Sequence, residues 1–380
     1  MSVFAVLSFI DGIKSSNRSI ERKIVLELLM LPSLIFFLPL VGYFFSEYKP
    51  AAASLMIKYL PFLLLSLSFI YSKEGVRKDA HKYISSGIIL GVLLSLIYLF
   101  IKTFYLFYMN NEENLHAIFS YKYTYNRFLA PLNLHPTYFS VLIIISNYFI
   151  YNSNLLKKIK CVLLLINLLG LIFIMSRIGI LVYFFQVFAL LFFLKKRISR
   201  IIYVSSFIAV LTGIVILYNY KIKDIYLFQR LSLELAWDLN YTNNNSSVNN
   251  REFDDSRLAR WAAIAEAIKE KPFFGYGSGS EREVLDAVYR KNELYHSLER
   301  KYNTHNQYLF YLIENGIVGL SLIILFIVGN FVKAYKNKDY FSCLFLITVI
   351  AVCFAENYFN RTMGVLTISI FMTYMKSNYG

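Results

Sequence analysis

Cysteine is scarce in this chain: Cys161, Cys343 and Cys353 are the only three in 380 residues, and each lies inside an apolar run. That excludes a disulfide framework and a thiolate metal site. Acidic residues are also few, 24 against 39 Lys and Arg, for a formal net charge of +15. The basic residues are scattered over short connecting segments and form no stripe, which argues against a nucleic-acid partner and for orientation in a membrane. No basic n-region precedes the apolar stretch Met1–Ile10, and Asp11 stands where a small-residue cleavage site is needed. An interfacial helix is therefore expected there, and no signal peptide. The glycine-rich Gly275-Tyr276-Gly277-Ser278-Gly279 follows no strand and precedes no Gly-Lys-Ser/Thr, so it is a helix stop and not a phosphate cradle. Paired carboxylates of the glycosidase kind and a Ser-His-Asp set are missing as well.

What is present is grease. Hydrophobic residues make up 57% of the chain and aromatics 18%, with a mean hydropathy of +0.50. Apolar runs of roughly 17–25 residues, long enough to cross a bilayer as helix, recur along the chain. The expected spans lie near 24–45, 51–71, 84–108, 135–151, 159–176, 178–194, 201–218, 316–332, 340–358 and 363–377. The fold class is thus an all-α polytopic membrane protein with about ten transmembrane helices. Three regions follow: transmembrane helices over 1–218, one large helical loop over 219–306, and transmembrane helices over 307–380. Under strict alternation, Arg18, Arg22 and Lys23, Lys73 to Lys82, Lys157 to Lys160, Lys195 to Arg200 and Lys333 to Lys338 share one side. An excess of Lys and Arg marks the cytoplasmic side, so both termini face the cytoplasm and the large loop faces out.

The loop carries most of the polar signal. Asp254, Asp255 and Ser256 form an acidic, capped helix start, and Leu258, Trp261, Ala265 and Ile268 continue at helical spacing until Pro272 and Gly275 stop the run. Arg257 and Arg260 lie one turn apart, so both can address one polyanion or form a solvated basic face. Ser280-x-x-Glu283 is a capping box that predicts a second helix carrying Leu285, Val288, Tyr289, Tyr295 and Leu298. Thr304-x-x-Gln307 is another, and it predicts His305 at the first position of the next helix. There the helix dipole disfavours a cation and leaves a neutral imidazole, as a general base requires. Ser176-Arg177 interrupts apolar sequence at a span junction on the outer face, where a guanidinium is either functional or snorkelling to lipid phosphate. Asp254 and Asp255 lack a third ligand at metal-binding spacing, so no metal site is expected. The run Asn243-Asn244-Asn245-Ser246-Ser247 is expected to be solvated spacer.

In order along residues 175–320 stand Met175-Ser176-Arg177-Ile178-Gly179, Arg257-x-x-Arg260-Trp261 and Lys271-Pro272-Phe273-Phe274-Gly275-Tyr276-Gly277. His305-Asn306-Gln307-Tyr308-Leu309 and Glu314-Asn315-Gly316-Ile317-Val318-Gly319-Leu320 follow. This series resembles the O-antigen ligase and polymerase superfamily of bacterial envelope glycosyltransferases, and His135-Pro136-Thr137-Tyr138 is family-like too. The resemblance implies a GT-C-like fold in the inner membrane, with the loop in the periplasm. It implies an inverting, metal-independent transfer without a cofactor, from a glycan on undecaprenyl diphosphate. Carried over by position, Arg177 and one of Arg257 or Arg260 bind the diphosphate and His305 activates the acceptor hydroxyl. Ser176, Asn306 and His135 are supporting candidates. The acceptor implied for a ligase is lipid A–core; for a polymerase, the alternative, it is a glycan growing on its own carrier. A transporter or flippase would call for internal repeats or spans broken at the midplane, and neither is evident. A purely structural envelope protein gives no reason for the arginine–histidine constellation.

Overall fold

A computed structural model of the chain describes residues 35–70, 74–193, 247–248, 251–252 and 255–377. The expected interfacial helix at the start, the expected span at 201–218, Asp254 and most of the Asn-rich run lie outside these residues. The described chain is helical apart from a two-residue antiparallel pairing, β1 (Ser247–Val248) with β2 (Arg251–Glu252). Three helices among the described residues are long and apolar enough to cross a membrane: Lys49–Ser68, Asp79–Met109 and Gln307–Lys336. A bent pair, Tyr125–Leu132 with Pro136–Asn152 at 79°, brings the number to four if it counts as one span. Shorter apolar helices are Ile35–Phe45, Arg177–Val187, Tyr340–Ala355 and Thr362–Met372. An all-helical membrane protein with at least three candidate spans is the resulting description. The chain divides into two compact units: Met1–Ile84 with Leu239–Gly380, and Ser85–Asp238.

The Ser85–Asp238 unit takes in most of α3 (Glu74–Met109) and then α4 (Tyr125–Leu129), α5 (Pro136–Asn152), α6 (Lys157–Ile174) and α7 (Arg177–Phe193). Val92, Leu96 and Leu99 from α3 meet Phe128, Ile143, Leu171, Phe173 and Ile174 in one core. The rings of Phe100, Phe128 and Phe173 lie 5.3–5.5 Å apart, tilted or edge-on as aromatic quadrupoles prefer. Asn167 on α6 donates to Asn147 on α5 at 2.7 Å. In an apolar setting such a pair holds two helices in register. At Met175 the backbone turns left-handed (φ +51°) and ends α6, and Ser176 then opens α7 by accepting the Gly179 amide on its hydroxyl at 3.2 Å.

The other unit contains α1 (Ile35–Phe45), α2 (Lys49–Ile70), α8 (Arg257–Glu270), α9 (Glu281–Lys291), α10 (Tyr295–Glu299), α11 (Gln307–Lys336), α12 (Tyr340–Ala355) and α13 (Thr362–Ser377). α2 packs on α13 and α11 on α12. Buried Tyr59 and Tyr311 share a hydroxyl–hydroxyl hydrogen bond of 2.9 Å, beside Phe62 stacked on Phe359. α8 forms where expected, but its buried face is Ala259, Ala263, Ile264 and Ala267, which packs on Val284, Leu285, Val288 and Tyr289 of α9. Ala265 of the expected stripe is exposed, and Trp261 is only partly covered. The small alanines win the interface because they let two loop helices approach closely. α9 ends at Lys291, so Tyr295 and Leu298 belong to the separate turn α10. Ser280 stands at the N-cap of α9 but makes no capping bond, because its own backbone is already helical (φ −80°, ψ −14°).

The segment Lys271–Gly277 does more than end α8. Its main chain pairs with α11, where Gly316 breaks the helix at φ +60°. Tyr276 and Gly277 donate to the Ile313 and Glu314 carbonyls at 2.7 and 2.9 Å, while Ile317 and Val318 donate to the Pro272 and Phe273 carbonyls at 2.9 and 3.3 Å. The backbone groups freed by the break are thus satisfied by a second strand of chain. A Cβ on Gly316 would stand 2.3 Å from the Phe273 carbonyl group, and one on Gly275 (φ +68°) 2.4 Å from the Ile313 oxygen. Both positions need glycine for conformation and for space.

Candidate active site

His305 is not in the first turn of a helix. The N-cap of α11 is Asn306, whose side-chain oxygen accepts the amides of Tyr308 and Leu309 at 3.0 and 3.2 Å. His305 precedes it with a left-handed backbone (φ +43°), and its amide donates to Asn303 Oδ1 at 3.0 Å. The expected Thr304–Gln307 box does not form. Gln307 instead accepts the Phe359 amide at 2.6 Å, and the Thr304 hydroxyl turns towards Glu281 and Asn357. Asparagine outcompetes threonine because its carbonyl reaches two amides at once. A dipole argument for the imidazole accordingly loses its footing.

A carboxylate takes its place. Glu356, immediately after α12, lies with Oε2 3.2 Å from His305 Nδ1. Their side chains keep 11% and 23% exposure, so the pair is partly shielded and still reachable. Tyr302 places its ring edge-on to the imidazole at 5.8 Å. Two α8 side chains close the cluster. Arg257 donates through Nη1 to the Ala355 carbonyl at 3.0 Å, next door to Glu356, where a cation suits the carbonyl end of α12. Arg260 is 6% exposed and stands over the Tyr302 ring at 4.9 Å. Its guanidinium also meets the Tyr289 hydroxyl, whose proton affinity is raised by burial and partly lowered by that positive charge. Nε and Nη1 of Arg260 are buried without a hydrogen-bond partner. A shielded guanidinium with free N–H groups and no carboxylate partner among the described residues is arranged to receive an anion. Trp261 anchors the turn by donating from its indole to the Thr304 carbonyl at 2.9 Å.

One unit therefore brings together Arg257, Arg260, His305 and Asn306. Arg177, Ser176 and His135 belong to the other, where Ser176 caps α7, Arg177 is its first residue and His135 precedes α5 with its ring 5.4 Å from that of Tyr138. Asp255 is engaged as an acceptor of the Ser297 amide at 2.8 Å. Among the described residues no group of three or more His, Cys, Asp or Glu gathers in metal-binding geometry. A cavity of about 240 Å³, lined by Tyr48, Glu266, Glu270, Tyr276 and Glu283 among others, includes none of these site residues.

Sequence reasoning missed Glu356, Asn357, Tyr302 and Glu281. Glu356 had a readable signal: it falls inside the apolar stretch expected to span at 340–358, where an ionisable side chain is costly and marks function by default. Glu281 is one of the unspecified positions of the Ser280-x-x-Glu283 box, and nothing local marks it. Its carboxylate accepts from the Thr304 amide at 3.1 Å, the Thr304 hydroxyl at 3.0 Å and the side chains of Asn357 and Asn360 at 2.7 and 3.3 Å.

No curated protein sequence matches the chain. The family model described as O-antigen ligase matches residues 162–324, a stretch that holds Arg177, Arg257, Arg260 and His305.

Proposed function

We propose that this protein transfers a glycan from a polyprenyl diphosphate, undecaprenyl diphosphate in bacteria, to an acceptor hydroxyl, with lipid A–core as the acceptor. The observation that carries the reading is the His305–Glu356 contact beside two arginines. With its Nδ1 proton donated to Glu356, the imidazole presents a lone pair on Nε2. That nitrogen takes the proton of the acceptor hydroxyl as its oxygen attacks the anomeric carbon. The carbon–oxygen bond to the diphosphate breaks, and the lipid diphosphate leaves with the electron pair. Attack opposite the leaving group inverts the anomeric centre. Glu356 stabilises the imidazolium that forms, the role a carboxylate plays behind a catalytic histidine.

The leaving diphosphate gains charge as the bond breaks, and fixed guanidinium groups stabilise it most where water is excluded. Arg260 fits that role through its burial and its free N–H groups. Arg257 is more committed, having given one N–H to the Ala355 carbonyl. Arg177 is proposed as the further diphosphate ligand and Ser176, Asn306 and His135 as support for their local backbone. In this reading the site faces the periplasm, the large loop over 219–306 stands above it, and both termini are cytoplasmic.

His305→Ala is expected to abolish glycan transfer while the protein still reaches the membrane. Wild-type transfer by that variant ends the general-base reading. Deletion of the protein followed by gel analysis of envelope glycan separates the two family activities. Uncapped lipopolysaccharide with long glycan left on the lipid carrier identifies a ligase; a single repeat unit on lipid A–core identifies a polymerase.

A further inference from the structure

We infer that Glu281 is a positioning residue: its carboxylate clamps the turn that carries His305 to the turn that carries Glu356 and so sets the register of the pair. The inference rests on the His305 reading above. Two short turns supply the pair, residues 303–306 before α11 and 356–360 between α12 and α13. The second turn leaves α12 through the Glu356 amide, which donates to the Val352 carbonyl at 2.9 Å, whereas His305 sits in a left-handed conformation that only surrounding contacts can maintain. Glu281 comes from a third element, α9, and reaches both. One oxygen gathers the amide and hydroxyl of Thr304 and the side-chain amide of Asn357; the other takes Asn360. Thr304 precedes His305 and Asn357 follows Glu356.

The chemistry of the four contacts is one-sided. All four partners present donors, and an ionised carboxylate, acceptor-only with about four lone-pair sites, is the side chain that satisfies them together. Asn357 then passes the link on, its carbonyl accepting the Asn306 amide at 2.8 Å. The carboxylate is enclosed although the residue as a whole keeps partial exposure, and burial pushes its proton affinity up against the pull of Thr304 and Asn357. A carboxyl group whose folded pKa lies above its unfolded one stabilises the fold fully below the unfolded value and loses that contribution as pH rises through the folded value. Its charged form therefore carries a burial cost, which the hydrogen bonds from Thr304 and Asn357 partly offset.

The test uses purified full-length protein in detergent, a synthetic polyprenyl-diphosphate glycan and an acceptor, with kcat, donor KM and melting temperature measured for each variant. Glu281→Gln is expected to lower kcat about tenfold, leave donor KM within about twofold and leave the melting temperature at pH 8 no lower than wild type. In a Glu356→Gln background the same change should cost less than about twofold, because the pair it positions is already broken. Thr304→Val removes one donor from the same oxygen at constant volume and should lower kcat in the same way, which decides the matter where Glu281→Gln does not accumulate. Wild-type kcat in either single variant overturns the inference, as does full multiplicative loss in the double variant or a lowered melting temperature. Activity in His305→Ala would instead overturn the reading on which it rests; an inactive His305→Ala beside a fully active Glu281→Gln overturns the inference alone.

Discussion

Replacing Glu356 by glutamine tests the catalytic arrangement at its centre. The glutamine carbonyl can still accept the His305 Nδ1 proton at the 3.2 Å now spanned, so the tautomer and ring orientation survive. What is lost is the negative charge that meets the imidazolium as the acceptor proton arrives. Two unit charges about 4 Å apart at an effective dielectric near 20 attract by about 4 kcal/mol. Roughly half of the charge has developed in the transition state, and the two side chains keep 11% and 23% exposure, so about 1.4–2.7 kcal/mol is the part at stake. That is a loss of roughly 10- to 100-fold in kcat. Glu356→Ala also frees the ring to rotate and to change tautomer, and should cost more than Glu356→Gln. The assay is steady-state transfer in detergent with donor and acceptor varied separately, because a group acting on the proton lowers kcat and spares donor KM. Equal, wild-type kcat in Glu356→Gln and Glu356→Ala, measured beside an inactive His305→Ala, would refute the orienting role and leave His305 acting alone.

The remaining predictions concern the anion and the frame. Arg260→Lys keeps the charge but loses the planar fork, and should reduce kcat/KM for the donor by about 10- to 100-fold in the same assay. Arg177→Lys should be similarly impaired; unchanged turnover there would assign Arg177 to lipid phosphate instead. Gly316→Ala forces a side chain into φ +60° against the Phe273 carbonyl group and should cost at least about 1–3 kcal/mol, read as a lowered melting temperature and reduced accumulation. Transfer in excess chelator should proceed undiminished, since arginines supply the positive charge in this scheme; recovery only on adding a divalent ion would contradict it.

Sequence alone revealed the elements that rest on long-range pattern. Apolar runs located α2, α3, α5, α6, α7, α12 and α13 to within a turn or, for α3, with ten further residues at its start. The Ser256 cap and the Pro272 stop bracketed α8. What stayed hidden depends on competition between neighbours or on contacts across many residues. Thr304 and Asn306 are both good N-caps, and hydropathy cannot rank them; the second carbonyl contact that decides for Asn306 exists only once the turn is built. The start of α11 was expected at His305, two residues early, and the span within it only from 316, because the polar Gln307, Glu314 and Asn315 dilute the hydropathy of its first turns. Gln307 accepts the Phe359 amide at 2.6 Å, Glu314 the Glu281 amide at 3.5 Å, and Asn315 donates to the Ser278 hydroxyl at 3.4 Å, partners that composition does not record. Glu281 and Glu356 lie 75 positions apart and meet the same two turns, a relation that no local window contains.

The glycine motifs show how the same sequence signal can mislead about purpose while reporting position correctly. Gly275-Tyr276-Gly277 reads as a helix stop, and Gly316 stands inside the apolar stretch of α11. In the folded chain each is the condition for the other: Gly316 opens the main chain of α11, and residues 272–277 fill the hydrogen bonds that opening leaves. The exchange holds the first turns of α11, and with them Asn306 and the His305 turn, against the loop helices that carry Arg260 and Glu281. Rigid backbone pairing is a better foundation for a proton-transfer site than a flexible joint, because a misplacement of about 1 Å costs on the order of a hundredfold in rate. Damage at Gly316 should therefore reach the chemistry through His305 even where the protein still folds, lowering kcat before it touches donor binding.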